Sequence, residues 1–299
     1  MIKIVFTSLC LTSSLTLASA QVKLSFNPEV GAKYEHQTEH VLNDKQIVGA
    51  RSLPIEEKVT KSYVLDIKGK DAKGVEIQFT WQHISLLMNS PMGKWGYDTK
   101  KPNETSSELD NIHGRIFNSV IGKSFIVSIA PDGSVNSIVG VDAIAEGIKQ
   151  AVVADGDMGA KLSASIIEEH FTESAIKEMI EQSWKIYPAN NVKQDDDWNI
   201  KNRWGEIANW NTTYILKDIT NNVANITAEA TVEVEPPGGI EGKLTGTQSG
   251  TLQLNINSGV LIGSNSMQNA KGNVKMRSMG MDMVVERVVK TTTTTKEIQ

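Results

Sequence analysis

Several residue sets in this chain have types and spacings that could do chemistry. Ser174-Ala175-Ile176-Lys177 fits Ser-x-x-Lys, in which a lysine amine assists a serine nucleophile in acyl transfer. The Lys-Thr-Gly and Ser-Asp-Asn elements that accompany it in such enzymes are missing, so Ser174 reads as ordinary helix surface. His36 and His40 would share a face on one strand. Four residues of strand hold them about 13 Å apart, too far to grip one ion, and they read as exposed strand histidines. Met276, Met279, Met281 and Met283 offer soft thioethers of the kind that suit Cu(I). No cysteine or histidine accompanies them, and the same residues make a gap-filling core; the sequence leaves copper open. Asp155-Gly156-Asp157 and Asp195-Asp196-Asp197 have calcium-binding residue types but lack the distal glutamate of a full loop. There is no Gly-x-Ser-x-Gly, His-Glu-x-x-His or phosphate-cradling glycine loop. The expectation is a chain with no catalytic residues, no metal site and no cofactor.

The chain opens like an export signal. Lys3 is followed by an apolar run from Ile4 to Leu17 and by Ala18-Ser19-Ala20, a small-x-small cleavage site, which puts the mature start at Gln21. That run is too short to span a bilayer, and no later segment is long and apolar enough to do so. The single cysteine, Cys10, falls within the signal, so disulfides and thiol chemistry are not expected after cleavage. A net charge of −5 argues against a nucleic-acid partner, which needs a basic face. Aromatic residues make up only 6% of the chain, too few for the two girdles of a transmembrane barrel. The expected location is periplasmic or secreted.

The strands and helices that must position any site are legible in part. From Val75 to His83 apolar and polar residues alternate, with Val75, Ile77, Phe79, Trp81 and His83 on the dry face, as in an antiparallel sheet with one wet side. A strand from Tyr34 to Leu42 ends at a turn on Asn43-Asp44, and residues 89–111 read as a polar loop anchored by Trp95 and Tyr97. Pro131-Asp132-Gly133 is a hairpin turn. Residues 141–187 are helical. Asp142 caps a first helix, the sequence 155–159 breaks it, and Ser165 with Glu168 forms a capping box. Thr172 to Tyr187 then places Ile176, Met179, Ile180, Trp184 and Tyr187 on one stripe, with a bend near Thr172. After Pro188 the chain returns to strands. The pairing of Tyr63-Val64-Leu65 with Tyr214-Ile215-Leu216, and of Pro131-Asp132-Gly133 with Asn257-Ser258-Gly259, suggests an internal repeat. The expected architecture is α+β: mostly antiparallel curved sheet in two pseudo-repeated halves, residues 21–140 and 189–299. A central helical insert, residues 141–188, packs on the concave face.

Val139-Gly140-Val141-Asp142, Ile176-Lys177-Glu178-Met179-Ile180 leading to Tyr187-Pro188, and Asp196-Asp197-Trp198 together resemble a family of exported bacterial proteins known only as a domain of unknown function. The resemblance implies the layout and the export, and it implies no catalytic residues. A curved sheet around helices is also loosely similar to the periplasmic lipoprotein carriers, at the level of architecture alone. The function expected is a non-enzymatic binding module for an apolar ligand such as a lipid or acyl chain, with Trp81, His83, Met179 and Trp184 lining the site. The competing expectations are an envelope protein that recruits a protein partner through its sheet edges or the 89–111 segment, and a hydrolase built on Ser174 or the acidic loops.

Overall fold

The computed structural model describes residues 21–91, 93–101, 108–204, 208–236, 240–277 and 280–298. The expected export signal with Cys10, and Met279 of the methionine set, lie outside them. The first half runs β1 (Lys33–Val48), β2 (Arg51–Lys70), β3 (Val75–Ser90), β4 (Gly93–Asp98), α1 (Glu108–Val120), β5 (Ser124–Ile129) and β6 (Val135–Val139). A helical stretch follows: α2 (Val141–Ala151), a 3-10 turn (Val153–Asp155), α3 (Gly156–His170) and α4 (Glu173–Trp184). The chain closes with β7 (Asp197–Trp204), β8 (Ala208–Thr220), β9 (Val223–Val234), β10 (Ile240–Gly242), β11 (Leu244–Asn255), β12 (Leu261–Met276) and β13 (Met281–Ile298).

All described strands join one open antiparallel sheet, ordered β6-β5-β3-β2-β1-β13-β12-β11-β9-β8-β7, with β4 beside β3 and β10 beside β12. Leaving aside β4 and β10, five strands of the first half and five of the second run in the same order along the sheet, with β13 between the two groups. One face is dry, as alternation requires: Leu65, Ile77, Phe79, Leu216, Ile226 and Leu254 are all buried. The helices pack on that face, adding Ile116, Ile148, Ile176, Ile180 and Trp184 to the same core. Among these helices, α4 lies against both edge strands, β6 and β7, and fills the gap that the curled sheet leaves. Its Glu181 accepts the backbone N–H of Val135 on β6 at 3.0 Å, while Trp198 of β7 donates its indole N–H to the carbonyl of Ile186 at 2.8 Å. Exposed edge strands recruit other strands, and here both edges are engaged by the helix or the segment after it.

The second half rolls more tightly. A Cβ at Gly246 on β11 would overlap the carbonyl oxygen of Asn269 on β12, so only glycine permits this approach. The coiling brings Trp210 on β8 to Gln268 on β12, three strands away, with an indole N–H to amide oxygen distance of 3.4 Å. A second, smaller core forms inside the roll from Val232, Leu244, Ala270, Val274, Met283 and Val285.

Several local expectations are corrected. Asn43-Asp44 is no turn; β1 continues through it to Val48, because Asp44 is satisfied by a cross-strand partner, Arg287. The 89–111 segment carries strand β4, and helix α1 begins within it. Asp142 lies in the first turn of α2 and does not cap it; Gly140 is the cap position, in a left-handed conformation. Ser165 sits in the middle of α3, so the proposed capping box is absent, and α3 already begins at Gly156 inside the expected break. At Thr172 the chain starts a new helix, its hydroxyl accepting the N–H of Ala175 at 3.2 Å.

Candidate functional site

Two of the four residues expected to line a ligand, Trp81 and Met179, are joined through Tyr63, and a third, Trp184, packs nearby on Phe79. Tyr63 lies 4.6 Å from Trp81 between ring centroids, and its hydroxyl reaches Met179 Sδ at 3.4 Å. Trp184 packs on Phe79 at 5.8 Å and on Phe26 at 4.8 Å. Trp81 is 1% exposed and Trp184 6%, so here the helix stripe rests directly on the sheet. His83 is elsewhere. A register shift between Ser62 and Tyr63 pairs His83 with Ser62 and Trp81 with Tyr63, which turns His83 to the opposite face. Its Nε2 lies 2.7 Å from Asp98 Oδ1. A bulge is invisible to an alternation pattern, which is why the sequence put His83 beside Trp81.

The most accessible part of the dry face lies between the two cores. Along β13 the inward residues Met283 and Val285 are buried, Arg287, Val289 and Thr291 are half-buried, and Thr293 and Thr295 are buried again. On β11 the same order recurs: Leu244 is buried, Gly246, Gln248, Gly250 and Leu252 are half-buried, and Leu254 is buried. Leu42 on β1, Val59 on β2 and Leu86 on β3 line the other side of this band and are also half-buried. On β12 the inward Ser266, cross-strand to Gly250 of β11 and to Thr291 of β13, is half-buried as well. The arrangement is a trough of mixed lining that ends at one core on either side; Leu42, Val59 and Val289 form an apolar row within it, between His40, Lys61 and Thr291 on one side and Asp44, Glu57 and Arg287 on the other.

Charged groups stand in the trough where the helices stop. Arg287 donates to Asp44 through Nε at 2.8 Å and Nη2 at 2.6 Å, a bidentate pair. Glu57 and Lys61 follow on β2, and Glu169 and His170 approach from the end of α3. Burial pushes the Glu57 carboxyl up, helped by the nearby Glu169 charge. It pulls the Lys61 amine down, against the pull of Glu169 and Glu57. Burial and the Lys61 charge lower His170 to about 3. Sequence reasoning missed these groups. The available signal was a lysine and an aspartate at inward positions of otherwise dry strands.

His36 and His40 are corrected from exposed to inward-facing: each Nδ1 lies 2.9 Å from a threonine hydroxyl of β13, Thr295 and Thr291 respectively. Burial lowers both to about 4, and for His40 the Lys61 charge adds to it. In the unfolded chain they titrate near 6.5, so between pH 6.5 and 4 the unfolded state binds more protons and stability falls with pH. Denaturant unfolding should therefore show stability intact above pH 6.5 and lost toward pH 5, by about 1 kcal/mol per pH unit for each histidine. His36→Gln should flatten that slope; an unchanged slope would refute the assignment.

The remaining chemical sets are dispersed. Ser174 and Lys177 are exposed on α4, where Lys177 pairs with Glu181 at 3.9 Å. Asp155 is held by Arg115, and Asp195 to Asp197 line an open surface cleft with Tyr187 and Trp198. Met276 and Met281 are cross-strand partners at the end of the β12–β13 hairpin, and Met283 is in the smaller core. Among the described residues no three His, Cys, Asp or Glu side chains are grouped to hold a metal ion, and no helix is long and apolar enough to cross a membrane.

An open, curved antiparallel sheet with helices on its dry face defines the class of protein. Within it, the chain belongs to a family of unknown function (DUF6263), whose model matches residues 72–261. No curated protein matches its sequence. Among solved structures it is similar to lipovitellin, in a study of lipid–protein interactions, at 10% identity and a TM-score of 0.48, covering 88% of this chain and 25% of that one. The chain thus spans about a quarter of the lipovitellin it matches. It is also similar to DynF from the dynemicin pathway of Micromonospora chersina, at 7% identity and a TM-score of 0.22, covering 93% of this chain and 86% of that one.

Proposed function

We propose that the protein is a non-enzymatic binding module of the bacterial cell envelope, periplasmic or secreted, that holds an apolar ligand such as a lipid or acyl chain in the trough between the two cores. The observation that carries the reading is the row of Leu42, Val59 and Val289 on β1, β2 and β13, left half-buried on the dry face between two buried cores. Apolar side chains left part-exposed in a concavity favour an apolar occupant, worth roughly 25 cal/mol for each Å² removed from water. This moves the site away from the helix stripe, since Trp81 and Trp184 are packed. Recruitment of a protein partner through the sheet edges has less support, because α4 and the residues after it occupy both edges.

Protein purified from envelope extracts and sprayed under native conditions should carry a mass increment that organic extraction removes. Val59→Arg, which drives a charge into the trough, should abolish the increment while Ser174→Ala leaves it unchanged. A protein that flies at its bare sequence mass from every preparation would count against the reading.

A further inference from the structure

Three methionine side chains share one face at the end of the β12–β13 hairpin. Met276 of β12 and Met281 of β13 are cross-strand partners, and Val274 pairs with Met283 two positions along, with no register shift between the two pairs. Cross-strand partners point the same way, as do residues two apart on a strand, so Met276, Met281 and Met283 are mutual neighbours on the sheet. The Cβ atoms of such a pair stand about 5 Å apart across the hairpin and about 7 Å apart along β13, a triangle that flexible thioether side chains can reach into from each corner.

Exposure separates a ligand set from mere filling. Met283 is 5% exposed and belongs to the smaller core, with Met276 packed against it. Met281 is 39% exposed and is no part of that core, so gap-filling does not account for it. Met283 also borders an open surface hollow with Gly242 and Val274, which gives the trio an approach from solvent. The neighbours on this face are apolar: Ile240 is cross-strand to Met276, and Val274 to Met283. Hard cations such as calcium and magnesium take oxygen ligands, and the three side chains offer none. Neutral sulfur donors in an apolar setting select a soft ion.

We propose that Met276, Met281 and Met283 bind one soft monovalent metal ion, Cu(I), through their three thioether sulfurs. Met283 and Met276 would form the buried floor of the site and Met281 its exposed third ligand. The site is separate from the trough and independent of the apolar-ligand reading.

The test titrates the full chain carrying Cys10→Ser, so that no thiol competes, with Cu(I) in dilute acetonitrile under anaerobic conditions. Calorimetry should give one ion per chain, and X-ray absorption of the complex should show a first shell of sulfur. Met281→Leu, a volume-conserving change at an exposed position, should weaken binding at least about tenfold, since even an outer-shell partner of a metal ligand is worth that much. Met281→Cys should retain binding, which separates loss of a ligand from a change in packing. Met267→Leu, elsewhere on β12 and 43% exposed, should bind as the parent does. Absence of binding, a first shell of nitrogen or oxygen, or equal affinity in Met281→Leu and the parent would overturn the proposal.

Discussion

Asp44→Ala should lower the unfolding free energy by about 3 kcal/mol, and Asp44→Leu combined with Arg287→Leu should recover most of that loss. Removing the carboxylate alone strands the Arg287 guanidinium on the inner face of the sheet, where its side chain is 20% exposed and Asp44 is 6% exposed. Breaking a buried pair from one side typically costs about 3–5 kcal/mol; the lower end applies because Arg287 keeps some water. The double leucine removes both charges and leaves apolar side chains beside Leu42 and Val285, so no group is left uncompensated. Urea unfolding of the three proteins checks this. If the single and double variants fall by the same amount, the pair contributes by packing alone.

Gly133→Ala should destabilise by at least about 2 kcal/mol and loosen α4. Gly133 has φ of 84°, a left-handed conformation that costs an alanine about 1 kcal/mol or more. A Cβ there would also overlap the carbonyl of Trp184, backbone that cannot swing aside. That contact seats the β5–β6 turn on the end of α4, the helix that fills the gap between β6 and β7. Thermal melting gives the stability change. Hydrogen exchange should show α4 amides losing protection before those of β1 and β13. Uniform loss across the sheet would mean that the turn does not act through α4.

Strands with strict alternation were legible because burial on one face imposes period two: β3 appears where the alternation that starts at Val75 predicts it, up to the register shift before His83. The α4 stripe was legible for the matching reason at period 3.6. Short or interrupted elements were not. The six residues of β4 include two glycines, and α1 carries Gly114 and two asparagines, weak helix formers, so packing of Ile112 and Ile116 decides its conformation. The trough was beyond the sequence altogether. Asp44 and Arg287 are 243 positions apart, and the Glu169 charge acts on Lys61 from more than a hundred residues away in sequence. Local pattern reports which face a residue takes, while the pairing of distant strands decides what faces it.

The place of β13 bears on how the molecule can be built. In the order of the sheet it is the middle strand, paired to β1 on one side and β12 on the other, yet it is the final strand in sequence. Until it arrives, β1 and β12 are both open edges, and the two groups of strands meet at their far edges, β6 and β7, through α4 and the segment after it. Folding is then governed by a contact between near-terminal segments, the most distant kind in sequence, and such topologies fold slowly.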